Sequence, residues 1–224
     1  MNAAKDNIRT ELDHIVVAAK TLDVGRAWAR ETLGVDAVGG GKHDRLATHN
    51  TLLKLGGSCY LEIIAVDPDA GAPNFPRWFG LDTAEVRDYI AHGPCLVAWV
   101  ARASGADDAI EQFATWPDYT AKIVRPATRA DFRWRFTFTP DGERINGGVL
   151  PHLIQWDSPV HPCERLPESG VSLIALALGA PKPEGTTALL QSFVFADELV
   201  QVAQSVSPQL VAMLNTPLGR VVLD

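Results

Sequence analysis

The sequence predicts an α+β fold: two βαβββ modules followed by a C-terminal α/β extension. Three observations carry this prediction: a strand–helix–strands order that occurs twice, apolar runs of strand length, and turn signals between them. A chain of 224 residues with 46% hydrophobic content is long enough for two small modules that share a core.

In the first module, residues 1–92, residues 12–18 read as a strand. Thr21-Leu22-Asp23 then caps a helix that runs through Arg30 and stops at Gly34. Gly39-Gly40-Gly41 reads as a flexible turn, because it lacks both the strand–G-x-G-x-x-G–helix context of a dinucleotide site and the Lys-Ser or Lys-Thr of a phosphate loop. Residues 47–55 and 58–66 form two strands joined by a two-residue Gly56-Gly57 hairpin. Residues 67–93, with Pro68, Pro73, Pro76 and the segment Arg77-Trp78-Phe79, are too long and aromatic for an inert linker, and a lid over a cleft is expected.

The second module, residues 93–167, opens with a strand at 95–101. A capping box at Ser104-Gly105-Ala106-Asp107 starts a helix at 110–116 that Pro117 ends, and strands follow at 120–125, 132–138 and 151–156. Residues 168–224 are expected to pack on the second module as a strand at 171–178, a mixed segment and a closing helix–turn–strand at 210–223.

A net charge of −7 argues against nucleic-acid and anionic-membrane partners, which call for a basic face. Cys59, Cys95 and Cys163 are odd in number and lack C-x-x-C spacing, so neither a disulfide framework nor a zinc knot is indicated. With no apolar run of membrane-spanning length and no signal-like N-terminus, a cytoplasmic location is the expectation.

The chemistry centres on His14 and Glu62, each held inside an apolar strand. Burying an imidazole or a carboxylate costs several kcal/mol unless it is paired, so two such residues answer to each other or to a ligand. Period-two geometry puts Leu12, His14, Val16 and Ala18 on one face, and Tyr60, Glu62 and Ile64 on another that can meet it. The pair is a candidate for metal binding or for acid–base catalysis. In the two-residue hairpin register His49 lies diagonal to Glu62, and a slip of one residue would turn it to the other face.

The runs Leu12-Asp13-His14-Ile15-Val16-Val17, Thr48-His49-Asn50-Thr51-Leu52-Leu53, Tyr60-Leu61-Glu62-Ile63-Ile64, Arg77-Trp78-Phe79 and Leu153-Ile154-Gln155-Trp156 resemble the glyoxalase-like domain of the vicinal oxygen chelate superfamily. The resemblance covers residues 11–165. It implies a half-barrel cleft built from both modules, small-molecule ligands, pairing of subunits into a homodimer, and lyase, isomerase or dioxygenase activity. It also implies a divalent metal held by the first and last strands of each module. His14, Glu62 and Gln155 are the candidate ligands, while the second module's first strand offers only Cys95, Leu96, Val97 or Ala98. A water-completed octahedral site suits Mn, Fe, Ni or Mg better than a closed tetrahedral site suits Zn. A small oxygenated metabolite is the expected substrate, and metal-free sequestration of a small molecule is the alternative. Arg77 and Trp78 are expected at the rim, Trp99 in the core or cleft wall, and Arg135 as a clamp for a carboxylate or phosphate, since Arg133 and Arg135 alternate with Phe132, Trp134, Phe136 and Phe138.

Overall fold

The computed structural model describes residues 8–224. The first module runs from β1 (Arg9–Ala18) through α1 (Leu22–Trp28) and one π turn at Ala29–Leu33 into the meander β2 (Val38–His43), β3 (Thr48–Lys54) and β4 (Tyr60–Val66). The Thr21 hydroxyl accepts from the Val24 N–H, and Gly34 takes a left-handed φ of 73°, so the helix starts and stops where its side chains direct. The connection that follows is not loop throughout: it contains α2 (Ala84–His92), capped by the Thr83 hydroxyl, which accepts from the Val86 N–H. The second module repeats the order with β5 (Cys95–Ser104), α3 (Ala109–Ala114), β6 (Ile123–Arg129), β7 (Phe132–Phe138) and β8 (His152–Trp156).

All eight strands belong to one sheet of order β2-β3-β4-β1-β5-β8-β7-β6. β1 and β5 pair antiparallel at its centre, β4 runs parallel to β1, and β8 runs parallel to β5, so the two modules are related by an approximate two-fold between His14 and Val100. The sheet curls until its edges approach: the Arg129 side chain of β6 lies against Gly41 of β2, where a Cβ would meet the arginine Cδ at 2.8 Å. The glycine run is therefore an edge strand rather than a turn, with positive φ at Gly39 and Gly40 and a register shift between Val38 and Gly41.

Alternation along the strands separates two cores. Ile15, Val17, Leu61, Ile63, Trp99 and Leu153 face outward against Leu33, Phe113 and the extension. Val16, Ala18, Ile64, Val100, Phe136 and Ile154 face inward, where Trp78 and Phe79 from the connection cover them.

After α4 (Pro162–Arg165), the extension comprises β9 (Ser172–Ala180), α5 (Pro183–Ser192), β10 (Val200–Gln204), β11 (Gln209–Thr216) and β12 (Gly219–Leu223), in a second sheet of order β10-β9-β11-β12. Residues 210–223 form a hairpin, not the expected helix–turn–strand: Leu210, Ala212 and Leu214 are buried with period two. The extension also reaches the first module, not the second alone. The Thr10 hydroxyl donates to the Phe193 carbonyl at 3.0 Å, and the Leu173 N–H donates to the Leu55 carbonyl at 3.2 Å. Among the described residues, no helix is long and apolar enough to cross a membrane.

Phe193 is fully buried against Phe113, Trp116 and Tyr119, which ties the extension to the second module's outer core. Phe193→Ala is expected to lower unfolding free energy by about 3–5 kcal/mol. Urea denaturation checks this, and a loss below about 1 kcal/mol would mean that the extension does not share the core.

Candidate functional site

A bulge in β1 builds the site. Leu12 pairs with Ala101 and His14 with Val100, which leaves Asp13 as the extra residue. Leu12 consequently joins the outer core instead of sharing the face of His14, and Asp13 lies alongside the imidazole. His14 Nδ1 donates to Asp13 Oδ1 at 2.6 Å, and its Nε2 lies 3.6 Å from Glu62 Oε2. The ring stacks on Tyr60, with centroids 4.5 Å apart.

Asp13 is fully buried and also accepts from Trp156 Nε1 at 2.9 Å and His161 Nε2 at 3.0 Å. The N–H of Cys163 donates to His161 Nδ1, so the other nitrogen of that ring carries the proton shared with Asp13. On the far side, Asn50 Nδ2 donates to Glu62 Oε1 and faces His43 Nε2 at 3.4 Å. Asn50 Oδ1 accepts from the Gly41 N–H at 2.9 Å and Arg129 Nη1 at 3.0 Å. One chain of contacts thus runs from Arg129 through Asn50, Glu62 and His14 to Asp13.

These contacts decide the charges. Burial alone would lower the His14 pKa, but the carboxylates of Asp13 and Glu62 outweigh it and raise the value to about 8. Burial opposes the ionised form of both carboxylates, and hydrogen bonds from His14 overcome it, leaving Asp13 well below and Glu62 below the usual range. The imidazolium's stabilisation is complete below the ordinary histidine value of 6.5 and lost as pH rises through about 8; that of Glu62 is complete above 4.5 and lost as pH falls. Burial pushes His43 down to about 4, so its ring is neutral at pH 7.

The cavity between these groups measures about 20 Å³, room for one water. Its walls are His14, His43, Asn50, Tyr60 and Glu62 on one side and Trp78, Phe79, Trp134, Phe136, Ile154 and Trp156 on the other, with Arg129 at the rim.

Of the residues singled out in the sequence, His14, Glu62 and Trp78 meet here. His49 does not. Leu55 pairs with Cys59 around a three-residue turn, Gly56-Gly57-Ser58, so Leu52 rather than Thr51 opposes Glu62, and the one-residue slip brings Asn50 inward and turns His49 to the other face. Gln155 also points outward: its Oε1 accepts from the Ile110 N–H at 2.9 Å, and its Nε2 donates to the Ala106 carbonyl at 2.8 Å. It thereby satisfies the start of α3 in place of the expected capping box. Arg135 spans Glu111 and Asp157 on the outer face, because the aromatics of β7 take the inner one. Trp99 donates to the Val149 carbonyl in the outer core, and Arg77 pairs with Asp82. Asp13, His43, Asn50 and Arg129 are additions; the Asp13-His14 dipeptide was the one local signal, and strict alternation placed Asp13 on the wrong face.

The two-fold tests the site against a metal. The residues equivalent to His14 and Glu62 are Val100 and Ile154, since Val100 pairs with His152 as His14 pairs with Tyr60. Hydrocarbon stands at both second-module positions, Gln155 is turned away, and the Arg129 guanidinium adds a cation to the rim. Among the described residues, no group of three or more His, Cys, Asp or Glu side chains is arranged to hold an ion. The donor set does not fit the four-ligand centre that the resemblance implies.

The profile of the glyoxalase-like domain family matches residues 12–194, a span that starts within β1, covers the rest of both modules and continues through α5. The chain belongs to this family. A hypothetical protein from Staphylococcus aureus has a similar structure, with TM-score 0.57 at 12% identity over 89% of this chain and 88% of that one. Methylmalonyl-CoA epimerase from Mycobacterium tuberculosis superposes with TM-score 0.40 at 21% identity, over 64% of this chain and 86% of its own. A Streptomyces coelicolor methylmalonyl-CoA epimerase gives 0.41 at 19%, over 66% and 97%. No curated protein matches the chain. The glyoxalase-like family places the half-barrel in the vicinal oxygen chelate superfamily, with the second sheet as its C-terminal addition.

Histidine NMR titration is expected to show His14 protonating near pH 8, with His43 neutral down to about pH 4. In Asp13→Asn the His14 value is expected to fall by one unit or more, about 1.4 kcal/mol of lost pairing. An unchanged value would remove Asp13 from the network.

Proposed function

We propose that this protein catalyses metal-independent proton transfer on a small oxygenated metabolite bound between its modules, with Glu62 as base and His14 as acid. The observation that carries the reading is the opposed pair in an aromatic cleft: a carboxylate and a protonated imidazole 3.6 Å apart, facing hydrocarbon across the two-fold.

A substrate that enters between them separates the ion pair. Burial, the largest influence on Glu62, then acts without its counter-charge and makes the carboxylate a stronger base. His14, still tied to Asp13, faces the oxygen on which negative charge develops and supplies a proton to it. Asn50 orients Glu62, and Tyr60 holds the imidazole plane.

The second reading is sequestration without turnover. Val100 and Ile154 favour it, because they leave the second module's side of the cleft without a reacting group.

Proton exchange separates the two. In D₂O, with a panel of small carbonyl and carboxylic compounds, the protein is expected to exchange a carbon-bound proton of at least one compound it binds, and Glu62→Gln to slow this by about 10²-fold or more. Binding without exchange across the panel would support sequestration. The exchange rate is expected to fall as pH rises through about 8, where His14 loses its proton.

A further inference from the structure

We infer that the ligand of this cleft is a small planar carboxylate bearing a further oxygen acceptor, with Arg129 at the mouth receiving the carboxylate and the Trp78 indole N–H serving the second oxygen. The inference takes the cleft as the binding site, as the proposed function does, and deepens it by naming the ligand.

The mouth is defined by exposure. Arg129 and Trp156 are the two half-buried residues among the cavity walls, and the remainder are buried, so a molecule entering from solvent meets a guanidinium first. Among the described residues, Arg129 has no carboxylate within ion-pair distance, whereas Arg102, Arg135 and Arg165 are each paired. One Arg129 nitrogen, Nη1, donates to Asn50 Oδ1, and no hydrogen bond occupies Nη2 or Nε. A guanidinium so placed presents a planar fork suited to two carboxylate oxygens. Gly41 permits the approach, since a Cβ there would sit 2.8 Å from the arginine Cδ.

The second observation is inside. Trp78 is 3% exposed, lines the cavity, and its Nε1 has no acceptor in the protein. A buried indole N–H without a partner has lost its hydrogen bond to water with nothing in return, and a ligand oxygen would restore one. The body of the ligand is set by Trp134, Trp156 and Phe136, flat faces that suit a planar molecule. Glu62 is the cleft's own negative charge, and His14 and Asn50 meet it from either side, leaving the Arg129 end positive. With room for one water, the cleft admits such a ligand when the carboxylate, held by the free Nε and Nη2, draws the Arg129 side chain off Gly41 and widens the mouth.

Calorimetry would compare 4-hydroxybenzoate, 4-methoxybenzoate and 4-formylbenzoate with their amides. At least one carboxylate is expected to bind about tenfold or more tightly than its amide, with that preference lost in Arg129→Gln, partly kept in Arg129→Lys, and unchanged in the control Arg125→Gln. The bound carboxylate should also shift the indole resonance that Trp78→Phe deletes. If no carboxylate outbinds its amide, or if Arg129→Gln keeps the preference, the inference falls. Repeating the binding in Glu62→Gln isolates it from the catalytic reading: carboxylate preference there, with no proton exchange by the unaltered protein, defeats proton transfer and leaves the ligand class standing.

Discussion

Two carboxylates and one imidazole are buried in a line at the centre of the sheet, and the rest of the cleft is arranged around the pairing of both carboxylates with the one imidazolium. Each would cost several kcal/mol to bury alone. Asp13 and Glu62 accept that burial because His14 lies between them, and His14 stays protonated because they flank it. The arrangement depends on one backbone feature, the β1 bulge, which sets Asp13 beside His14 instead of across the sheet from it. Around the line, Trp156 and His161 complete Asp13, and Asn50 completes Glu62. A polar network of this kind is useful only when every member is satisfied, and here partners come from both modules and from His161, the residue that caps α4.

The two modules have become unequal on a shared frame. The two-fold that relates β1 to β5 and β4 to β8 carries His14 onto Val100 and Glu62 onto Ile154. The first module supplies the charges, and the second supplies the aromatic wall and, from its edge strand, Arg129. The extension sits on the opposite face of the sheet, where Phe193 and Leu176 enlarge the outer core without entering the cleft. The family match continues through α5, which fits an extension integrated with the modules.

The architecture was legible because its signals are local: strand-length apolar runs, Thr21 and Gly34 at the helix ends, and a repeated element order. His14 and Glu62 were legible too, since a charged residue inside an apolar strand needs a partner. What failed was register. Gly56-Gly57 suits a two-residue turn, yet the turn holds Ser58 as well, and one residue of slip exchanges His49 for Asn50 at Glu62. Gln155 stands near the place of Glu62 in the repeat but sits one residue past its true equivalent, Ile154. The Asp13 bulge and the approach of Arg129 to Gly41 arise from pairing between distant strands, which no local pattern encodes. The edge strand in Gly39-Gly40-Gly41 was hidden for the same reason: its partner, not its composition, makes it a strand.

Under the proposed function, His14 and Glu62 answer to each other and to a ligand, not to a metal. Calorimetric titration of chelator-treated, dialysed protein with Mn²⁺, Ni²⁺ and Zn²⁺ decides between the two. No stoichiometric binding tighter than about 1 mM, roughly −4 kcal/mol, is expected under that reading. One ion bound per chain at micromolar affinity, abolished by His14→Ala and by Glu62→Gln, would contradict it.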